Sequence, residues 1–141
     1  EPMFRRALSI KESSYGPSHP EVATGLNNLA GLLRDTNRQS EAEPLARRAL
    51  SISESSYGPD HPEVANRLKN LAMLLCVRNR LSEAEPLARR AVSILVRFQV
   101  ETGHEHQRLA EYMGNYEKLL GQLGLDAAAT ESRLRSALNP K

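Results

Sequence analysis

The stretch from Glu43 to Ala84 nearly duplicates the stretch before it. Laid over Glu1 to Ala42, it is identical at about 30 of roughly 42 positions, and a third copy opens at Glu85 with EPLARRAVSI before drifting. Self-similarity at a fixed period of this size makes a solenoid of stacked units rather than a closed globule. No unit in such a stack hides its apolar face alone. Each must be covered by its neighbours.

The unit can be read from its pattern. The opening segment, EPMFRRALSIKESSY, places Met3, Phe4, Ala7, Leu8 and Ile10 at the spacing of one helix face, with Arg5, Arg6 and Lys11 on the polar side. It stops at Tyr15-Gly16-Pro17, where Gly permits a left-handed cap and Pro blocks continuation. Ser18-His19-Pro20-Glu21 then sets a cap residue three before a Glu, the capping-box spacing, with Pro inside the first turn. Asp60-His61-Pro62-Glu63 repeats the arrangement one period later. Behind the first of these, Val22, Ala23, Leu26, Leu29, Ala30, Leu32 and Leu33 form a broad stripe ending near Asn37. Ser40 and Glu43 predict a second capping box, opening a helix from about Glu41 to Tyr57 that repeats the first segment. Its buried side is Ala42, Leu45, Ala46, Ala49, Leu50 and Ile52. Ala30 and Ala72 on the first helices, with Ala42, Ala46 and Ala49 on the second, let two antiparallel helices approach closely. The unit is a helix pair.

This reading divides the chain into an orphan second helix (1–17) and pairs at 18–59, 60–103 and 104–141. In the last, aligning His106 with His19 and His61 puts Leu109 on Val22, Met113 on Leu26, Asn115 on Asn28, Tyr116 on Leu29 and Leu120 on Leu33. The alignment needs three extra residues within Leu95 to Glu101. That is close to one helical turn, so the helix there is expected to run about a turn longer. Gly121, Gly124 and Asp126 mark the next break. A last helix from about Ala127 to Leu138 ends at Asn139-Pro140, with Thr130, Glu131 and Ser132 replacing Glu-Pro-Leu, as suits a capping helix with a wetter outer side.

Composition narrows the function. The net charge is only +2, with Arg and Glu interleaved, so nothing concentrates positive charge as a nucleic-acid binder needs. One cysteine, Cys76, cannot form an internal disulfide and reads as a plain reduced thiol. No apolar run approaches the roughly 20 residues that span a bilayer, and the expected setting is cytoplasmic. The chain begins without Met and in mid-pattern, which is expected of a fragment of a larger protein. No Ser–His–acid set, Gly-rich phosphate loop or paired-carboxylate motif appears, so neither catalysis nor a cofactor is expected. His104 and His106 stand near Glu101 and Glu105, but His106 aligns with the turn histidines and no metal is expected. Arg5-Arg6, Arg47-Arg48 and Arg89-Arg90 sit beside Glu41, Glu43, Glu83 and Glu85, the pattern of a solvated, ion-paired face. Tyr15 and Tyr57 are expected to pack the Gly-Pro turns.

The pattern Leu68-x-x-Leu71-Ala72-x-x-Leu75, followed by Ala84, Ala88 and Ala91, resembles a tetratricopeptide (TPR) repeat. The usual unit is about 34 residues, and here it is about eight longer. That long form, with E-A-E-P-L, R-A-L-x-I and G-P-x-H-P-E-V-A, is similar to the TPR domain of kinesin light chains and to tandem arrays in bacterial signalling proteins. The resemblance covers essentially the whole chain. It implies an all-α, right-handed superhelix of antiparallel helix pairs, about seven helices in all. It also implies a non-catalytic protein–protein interaction module of adaptor or scaffold type.

In such arrays the first helices line a concave groove that binds a partner's peptide. The groove-facing positions here are Thr24, Asn27, Asn28, Gly31 and Arg34, then Asn66, Lys69, Asn70, Met73 and Cys76, then Glu111, Asn115 and Lys118. Asn28, Asn70 and Asn115 recur at one site, and a carboxamide offers donor and acceptor to a peptide backbone. Arg34, Lys69 and Lys118 add a preference for acidic residues or a free carboxylate, which Glu111 opposes. Gly31, Gly114 and Gly121 thin the groove wall. Three alternatives stand beside this. The Asn row can instead bond between neighbouring first helices and fix repeat geometry. The chain can also serve as a self-assembly module, with Met3, Phe4, Leu8 and Ile10 exposed on the first helix and covered by a second copy, or as a sensor segment of a larger signalling protein.

Overall fold

The computed structural model describes residues 2–139, so the expected stop at Pro140 lies outside the described residues. They form seven helices and no strand: α1 (Pro2–Tyr15), α2 (Pro20–Asp35), α3 (Gln39–Tyr57), α4 (Pro62–Val77), α5 (Leu81–Thr102), α6 (Leu109–Gln122) and α7 (Ala127–Leu138). The closest packing is α2 on α3 and α4 on α5, and each pair stacks on the next through α1 on α2, α3 on α4 and α5 on α6. Leu26, Leu29, Leu33, Leu68, Leu71 and Leu75 are fully buried, with Ala23, Ala42, Ala49, Ala65 and Ala84 between them. Bulky side chains fill the stack where alanines let the backbones close in. Among the described residues no helix is long and apolar enough to cross a membrane.

The helix starts differ from the capping boxes expected. His19 and His61, not Ser18 and Asp60, are the N-caps, and each Nδ1 accepts the backbone N–H two residues on, of Glu21 at 3.1 Å and Glu63 at 3.0 Å. Proline at the first helical position has no N–H to offer, so the imidazole caps the next one. His106 makes the same bond to the Arg108 N–H at 3.2 Å. Tyr15 and Tyr57 stack on His19 and His61 with ring centroids 4.6 and 4.7 Å apart, while Asp60 turns away to Arg97 at 2.8 Å. Ser40 caps nothing, because α3 begins one residue earlier. Glu43 is drawn instead to Arg47, Arg78 and Arg80. Replacing His61 with Ala is expected to cost about 1 kcal/mol in urea unfolding, as for other N-cap losses. His61→Asn should restore most of it.

The insertion before Gly103 lengthens its helix as expected: α5 has 22 residues against 19 in α3. Gly103 ends it in the left-handed region at φ 75°, which favours glycine. At the other end Leu8, expected among the exposed residues of α1, is buried against α2. Close approach makes this possible: a Cβ on Gly25 would stand 3.3 Å from Leu8 Cδ1. Met3, Phe4 and Ile10 do remain exposed.

The last helix sits unlike its counterparts. α7 rests chiefly on α5 and touches α6 little. Ser93 Oγ donates to the Ala137 carbonyl at 3.0 Å, and Arg133 reaches Glu85 at 2.6 Å. Two of the small residues that close the other pairs are missing here. Glu117 stands where Ala30 and Ala72 stand in the earlier copies, and Arg133 stands where Ala46 and Ala88 stand.

The candidate peptide groove

The first helices α2, α4 and α6 share one face of the stack, the side on which the groove is expected. Between α4 and α6 opens a cavity of ≈ 330 Å³. Its floor is Ala72, Ala88 and Ala91, whose short side chains leave the space, with Leu119 beside them. Met73, Cys76 and Val77 form an apolar wall, and Arg34, Lys69, Asn115 and Lys118 stand at the rim. A second, more polar hollow between α2 and α4 has a volume of ≈ 560 Å³ and is lined by Asn27, Asn28, Gly31, Asn70 and Phe4. Arg34 and Asp35 border both. Nothing lies within 4 Å of a Cβ placed on Gly31, Gly114 or Gly121. These glycines stand beside open space.

The three cations of the rim are not equivalent. Arg34 Nε donates to Asp35 at 3.0 Å, and its Nη1 lies 3.9 Å from Met73 Sδ. Lys69 Nζ is 3.7 Å from Glu111 and 5.5 Å from the centre of the Tyr112 ring. Burial holds its ammonium below the ordinary lysine range, with Glu111 pulling the other way. Lys118 is exposed and makes no ion pair among the described residues. Cys76 is half-buried, and burial pushes its thiol up, so it stays protonated.

The asparagines divide as well. Asn70 Nδ2 donates to Asn27 Oδ1 at 2.9 Å and lies 3.5 Å from Asn66 Oδ1. Asn66 also accepts from Arg67 Nη1 at 2.7 Å, and its Nδ2 reaches the Tyr112 hydroxyl at 3.5 Å. Arg67 Nη2 completes the chain to Thr24 Oγ1 at 3.3 Å. One network therefore ties α2, α4 and α6 together. Asn66 and Asn70 are committed to it, whereas Asn28 and Asn115 are exposed and lie in separate hollows.

Arg67 is the residue that sequence reasoning missed. It is only 6% exposed. Burial pushes its guanidinium down, against the pull of Glu63 at 3.6 Å. The available signal was a swap between copies. Gly25 and Lys11 in the first become Arg67 and Ser53 in the second, so a long side chain on one helix accompanies a short one on its neighbour.

The outward arginines do more than meet solvent. Arg48 reaches the Pro17 carbonyl and Glu12 at 3.0 and 3.4 Å, and Arg90 reaches Pro59 and Glu54 at 3.0 and 3.2 Å. Each clamps the turn that precedes it in the stack.

Comparison with known proteins agrees with this architecture. The family described as Tetratricopeptide repeat matches residues 22–63 and 64–97. Among solved structures, the crystal structure of BtubC (BKLC) from P. vanneervenii matches with a TM-score of 0.78 at 24% identity, over 95% of this chain and 52% of that one. The likeness is one of fold, and this chain spans about half of that protein's length. No curated protein matches the sequence.

Proposed function

Because this chain belongs to the tetratricopeptide repeat family, in the long form similar to kinesin light chains, we propose that it is a non-catalytic adaptor that seats a partner's peptide segment between α4 and α6. The carrying observation is the cavity there, apolar within and cationic at its rim. An apolar side chain fits against Met73 and Val77 over the alanine floor, where burial supplies the affinity. An acidic neighbour on the same peptide reaches Lys118, the one rim cation without an ion pair among the described residues. Arg34 and Lys69 are already partnered and add less. On this reading the Asn115 amide, which lines the cavity, pairs with the peptide backbone, and Asn28, which lines the second hollow, pairs with a segment that continues there. The lone protonated thiol suits a reducing, cytoplasmic setting.

The test uses labelled peptides with one Leu or Phe flanked by Asp, against the same peptides flanked by Asn, read by fluorescence anisotropy. The Asp peptides should bind more tightly, and added salt should weaken them. Lys118→Glu should cost about tenfold, or roughly 1.4 kcal/mol, and Ala88→Leu, which fills the floor, at least as much. Equal binding of both peptide sets, or full affinity in a folded Lys118→Glu variant, would overturn the reading.

Exposure of Met3, Phe4 and Ile10 at 83%, 44% and 58% favours self-assembly as a second reading, in which another copy covers α1.

A further inference from the structure

We propose that the uncovered face of α6 takes α1 of a second copy, so that the chain associates head to tail. The inference rests on the self-assembly reading above and names the surface that covers α1.

The earlier copies show what belongs on that face. Ala23 and Ala30 on α2, and Ala65 and Ala72 on α4, are at most 5% exposed under the second helices α3 and α5. The matching residues of α6 are Ala110 and Glu117, and both are exposed. α7 touches α6 little, being held on α5 by the Arg133–Glu85 pair and the Ser93 bond. α6 is a first helix short of its second.

α1 is the converse. Ala46, Ala49 and Ile52 of α3 are at most 6% exposed where that helix packs on α2. Phe4, Ala7 and Ile10 hold the same register on α1 and are exposed. The two open faces are halves of one helix pair. Inside the stack Ala30 meets Ala46 and Ala72 meets Ala88, whereas between copies Phe4 meets Glu117. Gly114 and Gly121 flank Glu117 with nothing within 4 Å of an added Cβ, which leaves room for the ring.

Charge favours the same match. Arg48 and Arg90 each clamp the turn before the first helix of their own pair. Arg6 holds their place on α1, is exposed and makes no ion pair among the described residues. The turn before α6 lacks its clamp, because Arg135, in the matching place on α7, is drawn to Glu131 at 2.6 Å. Glu101, Glu105 and Glu117 are exposed and likewise make no ion pair among the described residues. An unpaired arginine on one end of the chain therefore faces unpaired glutamates on the other, which fixes the register of the contact.

Sedimentation of the intact chain over a concentration series to about 1 mM is the test, since one helix pair with one clamp falls short of a standard interface of about 1,600 Å² and binds weakly. The mean mass should rise with concentration. Ile10→Asp on α1 and Ala110→Arg on α6 each put a charge into the contact and should weaken association at least about tenfold. Both replace exposed residues, so circular dichroism should show full helicity, and Met3→Asp, on a residue 83% exposed, should act as Ile10→Asp does. Mixed in equal amounts, the Ile10→Asp and Ala110→Arg variants should form a species of two chains and no larger, because each keeps the face that the other has lost. Arg6→Glu should weaken association of the unmixed chain about fivefold. A strictly monomeric parent chain would overturn the self-assembly reading and this contact with it. An associating parent whose Ala110→Arg variant associates as tightly, or a mixture with no two-chain species, would overturn α6 as the docking face and leave α1 covered by another α1.

Discussion

Replacing Leu71 with Ala is expected to cost about 3 kcal/mol of unfolding free energy, the middle of the range for a fully buried leucine. Leu71 has no exposed surface and packs in the cluster that joins α2, α3, α4 and α5. Its place in the stack adds to the effect. In a solenoid each unit is stabilised by its neighbours, so loosening the central unit weakens contacts on both sides. With a urea slope of about 2 kcal/mol per M, the midpoint should fall by about 1.5 M. Leu138, 43% exposed near the end of α7, is the matched control, and its truncation should change stability by less than about 0.5 kcal/mol. A loss below about 1 kcal/mol for Leu71→Ala would mean that the units unfold separately instead of bracing one another.

The repeat period carried most of the fold, because the apolar spacing of one copy has to match the next for a stack to close. Seven helices, the Gly-Pro breaks and the longer α5 were all legible in it. The caps were not, for a chemical reason: a Ser or Asp three before a Glu is the usual signature, and here a proline shifts the cap to the imidazole beside it. The groove was legible as a surface but not in its pairings. Asn28, Asn70 and Asn115 share one register in the sequence, yet Asn70 bonds Asn27, and Arg67 bonds Thr24. Both contacts join residues 43 apart, one more than the repeat, because side chains on adjacent tilted helices meet out of register. Periodicity alone cannot supply that offset. The position of α7 was hidden for the opposite reason. It depends on an absence, the missing alanine at Glu117, whose effect appears only when the pair fails to close.

The same local departure makes Glu85 the second sensitive point, and Glu85→Ala is expected to release α7. Glu85 is 2% exposed and accepts from the Tyr116 hydroxyl and from Arg133 of α7. Its counterpart Glu43 shows how such a hub is kept charged. Burial raises its carboxyl, but hydrogen bonds from Arg47 and Arg80 outweigh that and hold it below the usual range. At the later hub, burial and the Glu85 charge push the Tyr116 hydroxyl far above the ordinary tyrosine range, so it stays protonated and always donates. Removing the carboxylate leaves that hydroxyl buried without its acceptor, at about 1–3 kcal/mol, and takes the ionic anchor from α7. Among the described residues, the Ser93 bond and the packing of Ala137 and its neighbours then hold the helix. Amide exchange should show protection across 127–138 falling more than tenfold, which corresponds to about 1.4 kcal/mol of local opening, while Leu29 and Leu33 in α2 stay protected. Adding Tyr116→Phe should recover about 1 kcal/mol of global stability by removing the orphaned hydroxyl, without restoring protection in α7, because Arg133 still lacks its partner. Unchanged exchange in α7 after Glu85→Ala would place its anchorage in apolar packing alone.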